Sequence, residues 1–387
     1  VSPVDPQRLY FGTSGQTYAT EDGGATWAQR YCRMLPDGRF SGTGLEVTCQ
    51  NDIVFDPHDA SRIYFCYFDI GLLTSEDAGQ TFQRTVQGMK YGGNCFTVLP
   101  DPDDANVLWA TSGEWGSNHG DVCRSADRGK TWTVVGKLET GLPDGQTKTL
   151  RMDAKSPRGS RHLYVTSNGH GVYRSLDGGD SWECLNGNLA TEVAGRLRGL
   201  LLDPANAQHI RIAVAGSPSK GAGIYETTDG GATWTKVNHD TEFGDIQDFD
   251  MGESFNTLYV CQRDLYDREV EPPIMRPGGL YKSTDGGVTW TRVLAYHFVH
   301  RLTISPLDPR VLYVGTTDHP YHDDSIAAGV LKSEDAGQTW RSENTGLTSL
   351  QISCLSVRPR TDGRADLAVG TGGNGAFLGI DASPRAP

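Results

Sequence analysis

Long apolar runs are missing from this chain. None approaches the roughly 20 consecutive apolar residues that a bilayer-spanning helix needs, and no basic stretch followed by a short apolar core opens the sequence. The chain begins at Val1 rather than Met, which points to processing or trimming. Positive charge is scarce: 35 Lys and Arg stand against 48 Asp and Glu, a formal net charge of -13. Approach to nucleic-acid phosphate or to an anionic membrane works against like charge at long range, so neither is expected as a partner. None of the eight cysteines belongs to a CxxC pair, so the ligand spacing of structural zinc is absent. No GxSxG elbow is present and no cysteine sits in an activating motif, which removes two common nucleophilic chemistries. These patterns call for no cofactor and no metal.

What the chain has instead is glycine, 48 residues of it, with 37% hydrophobic content arranged in short runs. Many short elements joined by tight turns favour an all-β fold with a real core. One phrase recurs seven times: ATEDGGATW, LTSEDAGQTF, RSADRGKTW, RSLDGGDSW, ETTDGGATW, KSTDGGVTW and KSEDAGQTW. Its aspartates are Asp22, Asp77, Asp127, Asp177, Asp229, Asp285 and Asp335, so the interval stays between 50 and 56 residues. A period of that length marks a solenoid or a propeller. Two short β-patterned runs precede each phrase and another follows it, so one repeat supplies about four strands, the content of a propeller blade.

The phrase itself has the chemistry of a hairpin turn. Its Asp accepts backbone N–H bonds, its Gly takes a positive φ, and its aromatic packs between neighbouring blades. Six of the eight tryptophans are spent here, with Phe82 in the second copy. Residues 1–387 are therefore expected to form a single β-propeller of seven or eight four-stranded blades. Innermost strands fall near Ile53, Phe96, Leu150, Leu200, Phe249, Leu302 and Leu355, and the terminal units are incomplete.

If the repeated turns occupy one face, the opposite face carries the loops where the sequence stops repeating, and variable loops on a rigid scaffold are the expected home of function. Collected there are the carboxylates Glu46, Asp52 and Asp69, the rings Trp115, Tyr67, Phe68 and Tyr91 as sugar platforms, and the polar residues His119, His170, Arg198 and Arg301. The histidines of AYHFVH and DHPYHDD fall on adjacent units with Asp318, Asp323 and Asp324, and are read as polar contacts rather than metal ligands. Cys32 and Cys49 bracket a glycine-rich loop that a disulfide would close, as in an exported protein, while Cys66, Cys95 and Cys354 sit in strand patterns as buried thiols.

The repeated phrase resembles the Asp-box, or BNR repeat, of sialidases, sortilin-type receptors, a photosystem assembly factor and glycoside hydrolase family 74 xyloglucanases. No early Arg-Ile-Pro motif or arginine triad of sialidases is present. Beyond the box, GLEVTCQNDIVFDPHDASRIYFCYFDIGLLTSEDAG resembles the family 74 segment whose D-I-G-G turn carries a catalytic aspartate; Asp69 is the matching residue. The C-terminal stretches AGVLKSEDAGQTW and LAVGTGGNGAFLGID also resemble that family. The resemblance implies a secreted hydrolase of a β-glucan or related plant polysaccharide, with Asp69 paired to Glu46, Asp52 or Glu114, or to a carboxylate of a second propeller. Two departures are visible: Leu72 replaces the second glycine of the turn, and the chain holds one propeller where the family has two. The alternatives are a glycan- or protein-binding propeller, and a polysaccharide lyase in which Arg196, Arg198 or Lys148 neutralises a uronate.

Overall fold

The computed structural model describes residues 2–13, 16–42, 48–114, 116–318 and 327–381. The short apolar runs form antiparallel meanders, six sheets of four strands and two of three. Two added hairpins pair Cys32–Met34 with Phe40–Gly42 and Leu265–Asp267 with Ile274–Arg276. The first three-stranded sheet comprises Leu9–Gly12, Thr17–Thr20 and Ala28–Gln29, and leaves Tyr10, Phe11 and Trp27 exposed. The last comprises Ile352–Pro359, Ala365–Thr371 and Ala376–Asp381.

The other seven sheets share a frame. Their first strands are Gln50–Phe55, Asn94–Pro100, Thr147–Met152 and Leu197–Leu202, followed by Asp245–Met251, Val299–Ile304 and Ile352–Pro359. Each packs against the next in chain order, and Ile352–Pro359 packs against Gln50–Phe55. The core lies between successive sheets, where faces two layers thick exclude water. Trp109 and Val122 of one sheet, for example, meet Leu150, Leu163 and Val165 of the next, with Trp182 closing the cluster.

The repeated phrases build the turns between third and fourth strands. At Asp177, Ser175 Oγ and the Ser181 N–H both donate to Oδ1, at 2.8 and 2.9 Å, while Ser181 Oγ donates to Oδ2 at 2.5 Å. The Gly179 N–H donates to Ser175 Oγ at 2.7 Å, and Gly179 holds φ at 103°, a left-handed conformation costly for any residue with a Cβ. The aromatic then reaches the preceding sheet: the indole N–H of Trp132 donates to the Thr85 carbonyl at 2.9 Å, and that of Trp234 to the Leu185 carbonyl at 2.8 Å. These aspartates hold turns together, with both carboxylate oxygens occupied.

The expected closure of the glycine-rich loop by a disulfide is not found. Cys32 and Cys49 are not joined to each other, Cys32 lying on a short hairpin and Cys49 bridged through its backbone to Gly372. Cys66, Cys95 and Cys354 are buried thiols.

Candidate functional site

The turn joining the second and third strands of a sheet lies at the opposite end of the third strand from its Asp-bearing turn. In the sheet that starts at Gln50, this turn is Phe68–Ile70, between Ile63–Tyr67 and Gly71–Ser75. Asp69 sits at its tip with φ at 75°, exposed, and its N–H donates to Asn94 Oδ1 at 3.3 Å. Asp tolerates this left-handed conformation better than most residues. Among the described residues no hydrogen bond or ion pair occupies its carboxylate, in contrast to the aspartates at the other end of the sheets. Gly71, also left-handed, lets the turn lie against the Gly92 carbonyl, 2.2 Å from where a Cβ would stand. Leu72 is fully buried against Cys66 and Cys95, so the change from glycine falls in the core and not on the exposed rim.

Asn94 connects Asp69 to a ring platform: its own N–H donates to the Tyr91 carbonyl at 3.2 Å. Tyr91 and His119 lie nearly parallel, 16° between planes and 6.4 Å between centroids, with Lys90 Nζ 4.5 Å over the Tyr91 ring. His119 Nδ1 is 2.8 Å from Asp144 Oδ2, which fixes the imidazole against a carboxylate. Asp69, Tyr91 and His119 thus share one rim. His170 stands exposed on the corresponding turn two sheets along, its carbonyl accepting from Asn186 Nδ2.

Tyr67 is not on this surface. It is 6% exposed and packs with Ile53, Phe65 and Leu73, because it is the last strand residue before the turn and points into the core. Glu46 and Trp115 lie outside the described residues, as do His319, His322, Asp323 and Asp324. His297 is exposed beside Asp264, with Nδ1 2.6 Å from Oδ2. Among the described residues no three His, Cys, Asp or Glu groups converge as metal ligands.

The remaining candidates enter a cavity of about 520 Å³ lined by the first strands of the seven sheets. Each of these strands skips one residue of its ladder near its start, on the side toward the Asp69 rim. Such bulges re-aim a side chain. The skipped residues are Asn51, Phe96 and Lys148, then Arg198, Gln247, His300 and Ser353, and all line the cavity. Phe68, beside Asp69, reaches it too and meets Phe96 edge-on at 6.2 Å. Arg301 donates to the Gln247 carbonyl at 3.0 Å.

Asp52 is on the cavity wall, not on a rim loop. Thr97 Oγ1 donates to its Oδ2 at 2.7 Å and the Ile53 N–H to its Oδ1 at 2.9 Å. Burial nevertheless dominates and pushes its carboxyl up to about 6. Asp250, also on the wall, is pushed up to about 6 by burial and by the neighbouring Asp248. His300 goes the other way: burial, then Arg301 and Arg263, disfavour its protonated form. Asp250, Gln50 and Asn94 were not singled out from sequence. The alternation in DFDMG, with Asp250 two residues after Asp248, was the available signal for the first; nothing comparable marks the other two.

An all-β chain of repeated four-stranded meanders, with an acidic rim and a charged central cavity, is the architecture so defined. No family model matches the chain. It resembles the glycoside hydrolase family 74 xyloglucanases: a xyloglucanase of Paenibacillus sp is 26% identical over 268 residues, which cover 62% of this chain and 25% of that protein. The structure of the family 74 xyloglucanase from Xanthomonas campestris superposes with a TM-score of 0.65 at 18% identity, over 88% of this chain and 53% of that one. A YCF48 protein bound to a D1 peptide superposes with a TM-score of 0.60 at 16% identity, over 91% of this chain and 96% of that one. The chain spans about a quarter of the length of the Paenibacillus relative it matches.

Proposed function

We propose that this chain is a propeller of a secreted glycoside hydrolase acting on a xyloglucan-like β-glucan. The observation that carries the reading is the Asp69 turn: an exposed, unpartnered carboxylate on a left-handed tip, in the segment that resembles family 74, beside the parallel rings of Tyr91 and His119. Flat rings at a rim suit the apolar face of a pyranose, and a carboxylate without protein partners is free to meet substrate or water. In this reading the seven sheets framed by the first strands close a ring, and residues 1–387 form a single propeller with the sheet starting at Leu9 as an added unit. Asp52 is the candidate for the second carboxyl group. Its raised pKa suits a proton donor, since pairs of carboxyls serve acid and base roles when their environments differ. Cys66, which pairs with Asp52, is three residues before Asp69, about 10 Å of strand. Glu46 or a carboxylate from a second propeller is the alternative partner.

The test is release of reducing ends from xyloglucan by the purified chain and by Asp69→Asn, with product masses measured. Activity that survives Asp69→Asn refutes the assignment. A second reading, a non-hydrolytic binding propeller, is favoured by the extent to which the fold covers the peptide-bound YCF48 protein. Retention of intact xyloglucan oligosaccharide over days, without cleavage, selects it.

A further inference from the structure

The ring of bulged residues at the rim end of the cavity carries no carboxylate. It holds two cations, Lys148 and Arg198, and Arg301 follows the bulged His300; the three come from different sheets in a protein whose net charge is -13, and Arg151 lines the cavity further in. Lys148 and Arg198 are exposed at the mouth of the cavity; desolvation by the surrounding wall, then Arg198 and Arg301, still disfavour the protonated form of Lys148. The acids of the same cavity, Asp52, Asp248 and Asp250, make no ion pair with these cations among the described residues, although Arg301 and Arg151 lie near enough to favour the charged form of Asp52. Asp52 is bonded to Thr97 and Ile53, while Asp248 accepts the Phe249 and Leu302 N–H groups, both at 3.0 Å. Among the described residues neither Lys148 nor Arg198 makes an ion pair.

A second observation is independent of charge. Gln50 is 1% exposed and lines the cavity, yet among the described residues neither its Nε2 nor its Oε1 has a hydrogen-bond partner; the same holds for Ser353 Oγ and for His300 Nδ1. A buried amide left unpaired is destabilising, and such groups are uncommon in folded proteins. These three side chains stand on the two strands flanking the seam, Gln50–Phe55 and Ile352–Pro359, and on Val299–Ile304. Donors and cations therefore face one volume from both sides. Phe96 and Phe68 supply a ring wall, with Lys148 Nζ 5.7 Å from the Phe96 ring.

We propose that this end of the cavity binds the carboxylate of an acidic sugar, a uronate, with Lys148, Arg198 and Arg301 around the anion, Gln50 and Ser353 bonded to the oxygens they face, and the pyranose against Phe68 and Phe96. A cavity of about 520 Å³ accommodates a monosaccharide. A neutral glucan offers the cations nothing, so this site serves an acidic branch or a separate ligand and does not depend on the hydrolase reading.

The test is calorimetric titration of the whole chain with glucuronate, glucose and inorganic phosphate. Glucuronate is expected to bind, and glucose to bind at least tenfold more weakly. Lys148→Gln and Arg198→Gln should each weaken glucuronate tenfold or more, and Lys148→Gln should keep or raise Tm because it removes like-charge crowding, which separates lost binding from lost folding. Equal binding of glucose and glucuronate, or no glucuronate binding, overturns the proposal. So does phosphate binding without glucuronate, which would mark an inorganic oxyanion site. Asp69→Asn, outside the cavity, should leave the glucuronate isotherm intact while removing glucan cleavage, so the two readings fail separately.

Discussion

Replacing Asp52 by Asn should stabilise the protein at alkaline pH and leave it little changed in acid. Asp52 rises from 3.8 to about 6 through burial, and at about 1.4 kcal/mol per pKa unit that difference amounts to about 3 kcal/mol. The sign follows from proton counting. Between pH 3.8 and 6 the folded chain holds a proton that the unfolded chain has released, so stability falls as pH rises through this window and stays lower above it. Asn imitates the protonated form: its carbonyl can still accept from the Ile53 N–H and its amide can donate to Thr97 Oγ1, the two groups that now bond the carboxylate. Urea unfolding of both proteins at pH 4 and pH 8 gives the difference free of other titrating groups, including Asp250, which shifts in the same direction. The expected gain at pH 8 over pH 4 is up to about 3 kcal/mol. A difference independent of pH, or one in which the variant loses ground as pH rises, would refute the claim that this carboxyl is driven toward its neutral form. With it would go the case for Asp52 as a proton donor.

The Asp-bearing turns should respond in the opposite direction. Bonds from Thr339, side chain first and then backbone, and from Ser333 hold Asp335 down at about 2, so its contribution is present above about pH 4 and lost as pH falls toward 2; Asp335→Asn should flatten the acid limb of a stability profile, and an unchanged limb would count against the turn role. Trp132→Ala removes a side chain that is 5% exposed together with its bond to the Thr85 carbonyl, and should cost about 3–5 kcal/mol in denaturant melts; a loss below about 1 kcal/mol would show that the contact between sheets is weak. Gly71→Ala forces a Cβ against the Gly92 carbonyl at a positive φ, so a cost above about 1 kcal/mol is expected, accompanied by loss of any activity that depends on the adjacent Asp69; wild-type Tm and activity would contradict the geometry.

The repeat made the architecture legible because its chemistry is local. A Ser or Thr two residues before an Asp, a Gly two after, and a Thr or Ser four after can bond one another without help from the rest of the chain, as at Asp177. Asp69 was legible for a different reason, a resemblance in the FDIG turn, and its exposure followed from its place between two strands. Tyr67 failed because one residue decides between core and surface at a strand end: strand side chains alternate, and the register that pairs Tyr67 with Gln50 turns its ring inward. Cys32 and Cys49 failed because spacing along a loop says nothing about the distance across it.

Asp52, Phe68, Lys148, Arg198 and Arg301 were legible as candidates, but not their convergence on one cavity, and the cause is the bulge. Lys148, Arg198 and His300 fall in alternating strands, where period-2 reading assigns faces, and a single skipped residue breaks that assignment. Because the break recurs at one level in all seven first strands, it is built into the frame as firmly as the Asp turns, yet no residue type marks it: the skipped positions hold Asn, Phe, Lys, Arg, Gln, His and Ser. Of the seven only Phe96 is apolar and buried; Lys148 and Arg198 are exposed and the other four are half-buried. Gln50, buried beside them and unpaired among the described residues, lowers the stability of the fold on its own. In the seven Asp-bearing turns the carboxylates are bonded on both oxygens; at the bulged end, among the described residues, Gln50, Ser353 Oγ and His300 Nδ1 are unbonded. That contrast is the reason the proposed chemistry is sought on the bulged end.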